Sequence, residues 1–184
     1  MYNMKKINKI SKYDLKNYKL IRKNVYKSIK DFSSSFNFKS KKILEIAPQI
    51  HEDSKNLFKE SKKYTLDIDK NSNADFVADI CKNNSKKIKS NYFDFVICTE
   101  VLEHTLNPFN AIKEIHRILK NNGIVLITTP FDFRIHGPLP DCWRFTEHGI
   151  KSLLHNFEII SLKPLENKER FLMPIHYVTI AKKI

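Results

Sequence analysis

Glycine is scarce: the chain of 184 residues has three. A loop that cradles phosphates on bare backbone needs several glycines close together. Their scarcity excludes such a loop and weakens any reading as an NAD- or ATP-binding protein. Cysteine is equally sparse. Cys81, Cys98 and Cys142 form no C-x-x-C pair, which argues against a metal knuckle or disulfide framework and for a reducing, cytoplasmic setting. No apolar run approaches the roughly 20 residues of a membrane span. The N-terminal MYNMKKINKISKYDLKNYK has positive charges but no apolar stretch, so no signal peptide is expected. Internal repeats are also lacking. The length suits one domain, and a hydrophobic content of 41% is adequate for its core. The formal net charge of +13 comes from lysines scattered along the chain. That pattern favours an anionic small acceptor over a dedicated nucleic-acid surface.

The most informative stretch is residues 93–131, FDFVICTEVLEHTLNPFNAIKEIHRILKNNGIVLITTPF. Phe93–Cys98 is a short apolar run of β-formers, and Ile124–Thr129 is another. Between them, Asn107-Pro108 starts a helix. Phe109, Ile112, Ile115, His116 and Leu119 form its apolar face, and Asn121-Asn122-Gly123 ends it. Two strands joined through a helix make a parallel, right-handed unit. Ligands of such sheets bind outside the carboxyl ends of the strands, where Thr99-Glu100 and Thr129-Pro130 stand. Lys42–Ala47, Lys63–Asp67 and Phe76–Ala78 read as three earlier strands, with Pro48–His51 a turn and Ser54–Ser61 a short helix. Cys81–Lys89 is loop or polar helix. Thr146 caps a helix to His155, and Phe157–Leu162 with His176–Lys182 closes the sheet as an antiparallel pair. Upstream, Ile7, Ile10, Leu15, Leu20, Ile21, Val25 and Ile29 predict one or two amphipathic helices, read as a lid over the domain. Residues 31–35, DFSSS, read as a linker.

E-V-L-E-H at 100–104 and R-I-L-K-N-N-G at 117–123 resemble class I S-adenosylmethionine-dependent methyltransferases, in the UbiE-like branch. The resemblance covers about residues 41–184. It implies a Rossmann-like α/β fold with a seven-stranded sheet of order 3-2-1-4-5-7-6, strand 7 antiparallel. Residues 1–36 are then a helical extension and 37–184 the methyltransferase domain. The resemblance also implies the cofactor S-adenosylmethionine and the residues that hold it. Glu45-Ile46-Ala47-Pro48-Gln49 stands where the family has E-x-G-x-G, with Ala47 and Gln49 in place of both glycines. Asp67, with Ile68 beside it, would meet the ribose hydroxyls, and Asp69 is its near competitor. Asp79 and Ile80 would meet adenine, and Thr99 and Glu100 lie beside the sulfonium.

Glu100, Glu103 and His104, at i, i+3 and i+4, would share one face of a helix. No metal is expected there. The lesser alternative is a divalent cation on these three residues, Mg²⁺ or Mn²⁺ for the oxygens, with Zn²⁺ admitted by the imidazole. His104 is also a candidate general base, as is His136. The loop FDFRIHGPLPDCWRFT, residues 131–146, offers His136, Asp141, Trp143 and Arg144 to an acceptor. Trp suits a sugar face and Arg a phosphate or carboxylate. Alternatively the loop is a plug, with Trp143 buried and Arg144 paired to Asp141. Its P-x-D-x-W-R-F-T pattern resembles methyltransferases encoded with surface-polysaccharide genes. Arg170 and His176 could also reach the cleft. The expected activity is methyl transfer, on oxygen, to a small or glycan- or nucleotide-linked acceptor. A metal-dependent RNA 2′-O-methyltransferase and a non-catalytic binding domain are the alternatives.

Overall fold

The computed structural model describes residues 10–48 and 57–184. The first element is a single helix, α1, Lys12–Ser35. Ser11 caps it: its Oγ accepts from the Asp14 amide at 3.0 Å, and Asp14 reaches back to the Ser11 amide. Asn17, Ile21, Val25, Ser28, Ile29 and Phe32 form its buried stripe, the spacing of one helical face.

The expected linker at 31–35 is instead the last turn of α1. Ser33, Ser34 and Ser35 donate their hydroxyls to the carbonyls of Lys30, Lys30 and Asp31, so the serines stay helical. Phe32 is wholly buried and packs edge-on against Phe38 and Phe95, with centroids 5.6 and 5.8 Å away. The local signal read serine as a breaker, and the buried ring overrode it.

The strands are β1 (Lys42–Ile46), β2 (Lys62–Asp67), β3 (Phe76–Val77), β4 (Phe93–Thr99), β5 (Leu119–Pro130), β6 (Phe157–Leu165) and β7 (His176–Lys183). They form one seven-stranded sheet of order β3-β2-β1-β4-β5-β7-β6. β3, β2, β1, β4 and β5 run parallel, and β7 is antiparallel to both its neighbours. This is the Rossmann-like α/β order expected. Successive residues of β1 face opposite ways. Ile43 joins Phe95, Ile97 and Leu126 beneath α1, while Leu44 joins Val96, Cys98 and Val125 on the other face.

That second face is covered by α2 (Pro108–Ile118) and α3 (Glu147–Leu153). Each starts on a side-chain cap. Asn107 accepts from the Asn110 amide at 3.0 Å and Thr146 from the Gly149 amide at 3.2 Å. α2 buries Ala111, Ile112, Ile115 and Ile118, whereas Phe109, counted on the apolar face, is 55% exposed. It sits one position off the stripe.

α2 ends at Ile118, before the expected stop at Asn121-Asn122-Gly123. These three lie within β5, beside its register shift against β4. The left-handed residue there is Asn122, φ 61°, rather than Gly123. Gly123 is needed for space: a Cβ there would lie 2.8 Å from the Lys120 carbonyl oxygen and 3.2 Å from that of Asp94. Gly123→Ala should therefore cost about 1–3 kcal/mol as backbone is forced apart. Urea denaturation would read this, and unchanged stability would show that the backbone there yields freely.

Of the expected turn at 48–51 and helix at 54–61, residues 49–56 lie outside the described residues, and 57–60 form a turn. Cys81–Lys89 is loop. Among the described residues, no helix is long and apolar enough to cross a membrane.

Candidate functional site at the carboxyl edge of the sheet

The parallel strands deliver their chemistry to one edge. At the end of β1, Glu45 is buried, and burial pushes its carboxyl above the usual range despite Lys63 at 3.9 Å. Ala47 takes φ 47° and donates its N–H to the Leu66 carbonyl at 2.7 Å. It thus holds the left-handed turn for which glycine is the easy residue. Pro48 follows, and Gln49 lies outside the described residues. At the end of β2, Asp67 accepts the Asp69 amide on Oδ1 at 2.9 Å. Asp69 is occupied in turn by the Asn71 amide. Ile68 is 68% exposed. Past β3, Asp79 accepts the Cys81 amide on Oδ1 at 2.8 Å, and Ile80 is buried. Acidic side chains therefore mark the ends of three adjacent parallel strands.

Thr99 ends β4 and is buried. Glu100 then turns the chain with φ 54°. Its Oε1 accepts from Thr128 Oγ1 at 2.9 Å and from His176 Nε2 at 2.6 Å, and His176 Nδ1 accepts from Asn24 Nδ2 at 2.9 Å. Burial opposes ionisation of Glu100, but the field and hydrogen bond of His176, with the bond from Thr128, hold its carboxyl below the usual value. His176 is wholly buried, so it braces the edge rather than opening onto a cleft. Arg170 pairs with Asp132 at 2.9 Å. Asp132 also accepts from Asn167 at 3.0 Å and from the Tyr13 hydroxyl, and its carbonyl accepts from Asn17 at 3.0 Å. These bonds fasten α1 to the loop after β5.

The expected helical face for Glu100, Glu103 and His104 is absent: a single 3₁₀ turn, Leu102–His104, follows Glu100. The left-handed residue at 100 sends its side chain toward β5 and β7. Glu103 points inward, fully buried, and neither carboxylate oxygen receives a hydrogen bond from a described residue. Burial, reinforced by the charge of Glu100, raises its carboxyl well above the usual range. The Glu103 carbonyl accepts from the Cys142 and Trp143 amides at 2.7 and 3.2 Å, which brings the loop of residues 131–146 onto the turn.

His104 Nδ1 donates to the Pro140 carbonyl at 3.0 Å, so its Nε2 is left with the lone pair. The His136 ring stands edge-on to His104, centroids 4.8 Å apart. Its Nδ1 is 3.3 Å from the Arg134 carbonyl and 3.1 Å from Asp141 Oδ2, both acceptors. Burial lowers its pKa, which keeps the ring neutral.

Arg144 grips Asp141 bidentately at 2.6 and 2.8 Å and also bonds the carbonyls of Phe133, Arg134 and Trp143. All five of its N–H groups are therefore engaged within the loop, as the plug reading expected. Trp143 departs from that reading: it is 40% exposed, with Nε1 donating to the Thr105 carbonyl at 2.8 Å.

Asn17, Asn24, Thr128 and Asp132 were not anticipated. The available signal was polar: Asn17 and Asn24, seven residues apart, fall among the apolar positions of α1, and a buried amide needs partners.

The family description "Methyltransferase domain" matches residues 18–162. A stretch of 55 residues is 36% identical to the ubiquinone biosynthesis O-methyltransferase of Glaesserella parasuis, covering 30% of this chain and 21% of that one. The matched stretches amount to 3%, 21% and 17% of the lengths of three curated relatives. An S-adenosylmethionine-dependent methyltransferase from Archaeoglobus fulgidus superposes with a TM-score of 0.67 at 18% identity, covering 94% of this chain and 100% of that one. The 1,6-didemethyltoxoflavin-N1-methyltransferase of Burkholderia thailandensis, solved with S-adenosylhomocysteine, gives 0.63 at 13% identity over 86% and 78%. At such identities the two structures speak for the fold.

Proposed function

Because the chain belongs to the methyltransferase-domain family, we propose that it methylates an oxygen of a small or glycan- or nucleotide-linked acceptor, using S-adenosylmethionine. The observation that carries the reading is the paired imidazoles beside the carboxyl ends of β4 and β5, each with Nδ1 against an acceptor. The residues present fit the cofactor. Ala47 keeps the left-handed turn, and Asp67 Oδ2 receives no hydrogen bond from a described residue while Oδ1 is held by a backbone amide. In this reading Glu45, Ala47, Pro48 and Gln49 border the methionine moiety. Asp67 with Ile68 takes the ribose hydroxyls, Asp79 and Ile80 take adenine, and Thr99 and Glu100 close the sulfonium side.

Once bound, S-adenosylmethionine supplies a methyl group on a positively charged sulfur. The protein's own part is to hold an acceptor oxygen in line with it, where positioning provides much of the rate. His104 or His136 accepts the hydroxyl proton. The exposed Trp143 ring suits a sugar face, while Asp141 and Arg144 keep it and His136 in place. A step in surface-polysaccharide assembly fits such an acceptor. Within the N-terminal extension, α1 acts as a lid through the hold of Tyr13 and Asn17 on Asp132.

Asp67→Ala should weaken S-adenosylmethionine by at least about tenfold in calorimetry, because two hydrogen bonds to a charged group are lost at roughly 1.5–3 kcal/mol each. An unchanged affinity in the folded variant would remove Asp67 from the site, and no binding to the unaltered protein would overturn the reading.

A further inference from the structure

We infer that Glu103, His104 and His136 form a binding site for one divalent transition-metal cation of the zinc class. One potential ligand atom from each lies within 4.8 Å of the other two. Three potential acceptors converge there, and among the described residues no donor bonds either Glu103 oxygen. Glu103 brings a carboxylate that is 0% exposed and has no hydrogen bond to either oxygen from a described residue. His104 Nε2 is 3.9 Å from Glu103 Oε1, too far for a hydrogen bond. A proton on either group would not bridge that gap, so protonation leaves the buried oxygens as unsatisfied as before. A cation between them satisfies all three at once.

The outer partners are those of a prepared ligand set. His104 Nδ1 is held by the Pro140 carbonyl, and His136 Nδ1 lies against Asp141, itself gripped by Arg144. An imidazole that donates its other N–H to a carbonyl or carboxylate is fixed in tautomer and strengthened as a ligand. Ligands about 2.1 Å from a tetrahedral ion lie about 3.4 Å apart, so atoms that now lie within 4.8 Å of one another close by at most about 1.4 Å on binding. Two imidazoles and one carboxylate favour zinc or a neighbouring transition metal over magnesium. The set also differs from the one read from the sequence: Glu100 is bound to His176 and Thr128, and His136 takes its place.

For its purpose the site rests on the methyl-transfer reading. Three protein ligands leave one position for an acceptor hydroxyl, whose pKa the ion depresses. The hydroxyl proton passes to solvent. The oxygen then forms its bond to the methyl carbon as the sulfur–methyl bond breaks, with that electron pair remaining on sulfur. With the ion in place the imidazoles act through it, and in the ion-free protein they are the proton acceptors of the methyl-transfer reading.

The test is calorimetric titration of the chelator-treated full-length protein with Zn²⁺ and, separately, Co²⁺. One equivalent should bind. Glu103→Gln, which keeps the side-chain volume, and His136→Ala, in the surface loop, should each lose affinity by at least about 100-fold. Cys142→Ser should bind as the unaltered protein does, excluding the nearby thiol as ligand. No stoichiometric binding, binding unchanged in His136→Ala, or binding lost in Cys142→Ser would overturn the site. A cation that Glu100→Gln releases and His136→Ala retains would also overturn it. S-adenosylmethionine affinity in the same preparations reports on the methyl-transfer reading separately.

Discussion

His176→Ala should lower the stability of the protein by about 1–3 kcal/mol at pH 7, the usual cost of leaving a buried acceptor without its donor. His176 lies wholly inside the protein and donates to Glu100 at 2.6 Å. Without it the Glu100 carboxylate keeps only Thr128. Asn24 also loses its acceptor, which loosens α1 from the sheet edge. The sign of the pH dependence follows from the direction of the shift. In the intact protein the Glu100 carboxyl is held below its ordinary value. Its stabilising contribution is therefore present at neutral pH and is lost as pH falls through that lowered value. In the variant, burial acts unopposed by His176 and raises the carboxyl, so acid relieves the unpaired charge. The stability gap should be widest at pH 7 and narrow toward pH 4. Urea denaturation at the two values measures this, and an equal gap at both would show that lost packing, not the charge, is responsible.

His104→Ala should reduce kcat by about 10²–10⁴, the usual range for losing a group that handles the reacting proton. S-adenosylmethionine affinity should stay within about twofold, since the proposed reading puts His104 on the acceptor side. His136→Ala should do the same. The two rings stand 4.8 Å apart and in the proposed reading serve one hydroxyl, so the double variant should be little worse than the worse single one. Activity requires neutral imidazole. Burial lowers the His136 pKa, so its neutral form persists below the ordinary imidazole value of about 6.5, and its contribution disappears only as pH falls through the lowered value. Near-normal kcat in both single variants would remove the imidazoles from the reaction. Fully multiplicative losses would mean that they act at separate points.

Much of this arrangement is written locally. Residues 93–131 specify strand, turn, helix and strand through short apolar runs, a Pro at a first turn and an Asn cap, all interactions between near neighbours. The acids at strand ends follow from alternation: once β1, β2 and β3 are read as parallel strands, Glu45, Asp67 and Asp79 belong to one edge. Thr146 as a cap is equally local.

Which side chains meet was decided by the packed chain. Periodicity records that a face is buried, not what it is buried against. DFSSS at 31–35 carries the signals of a break and is helical because Phe32 fits between Phe38, just before β1, and Phe95, far off in β4. Glu100 and Glu103 are three residues apart, a spacing that suggests one face. A left-handed residue at 100 and a 3₁₀ turn part them, sending one to His176, 76 positions later, and the other to His104 and His136. Hydrogen-bond partners distant in sequence are fixed only when strands and loops take their final register. The fold was thus legible from neighbours, whereas the chemistry of the site depends on contacts that close long loops.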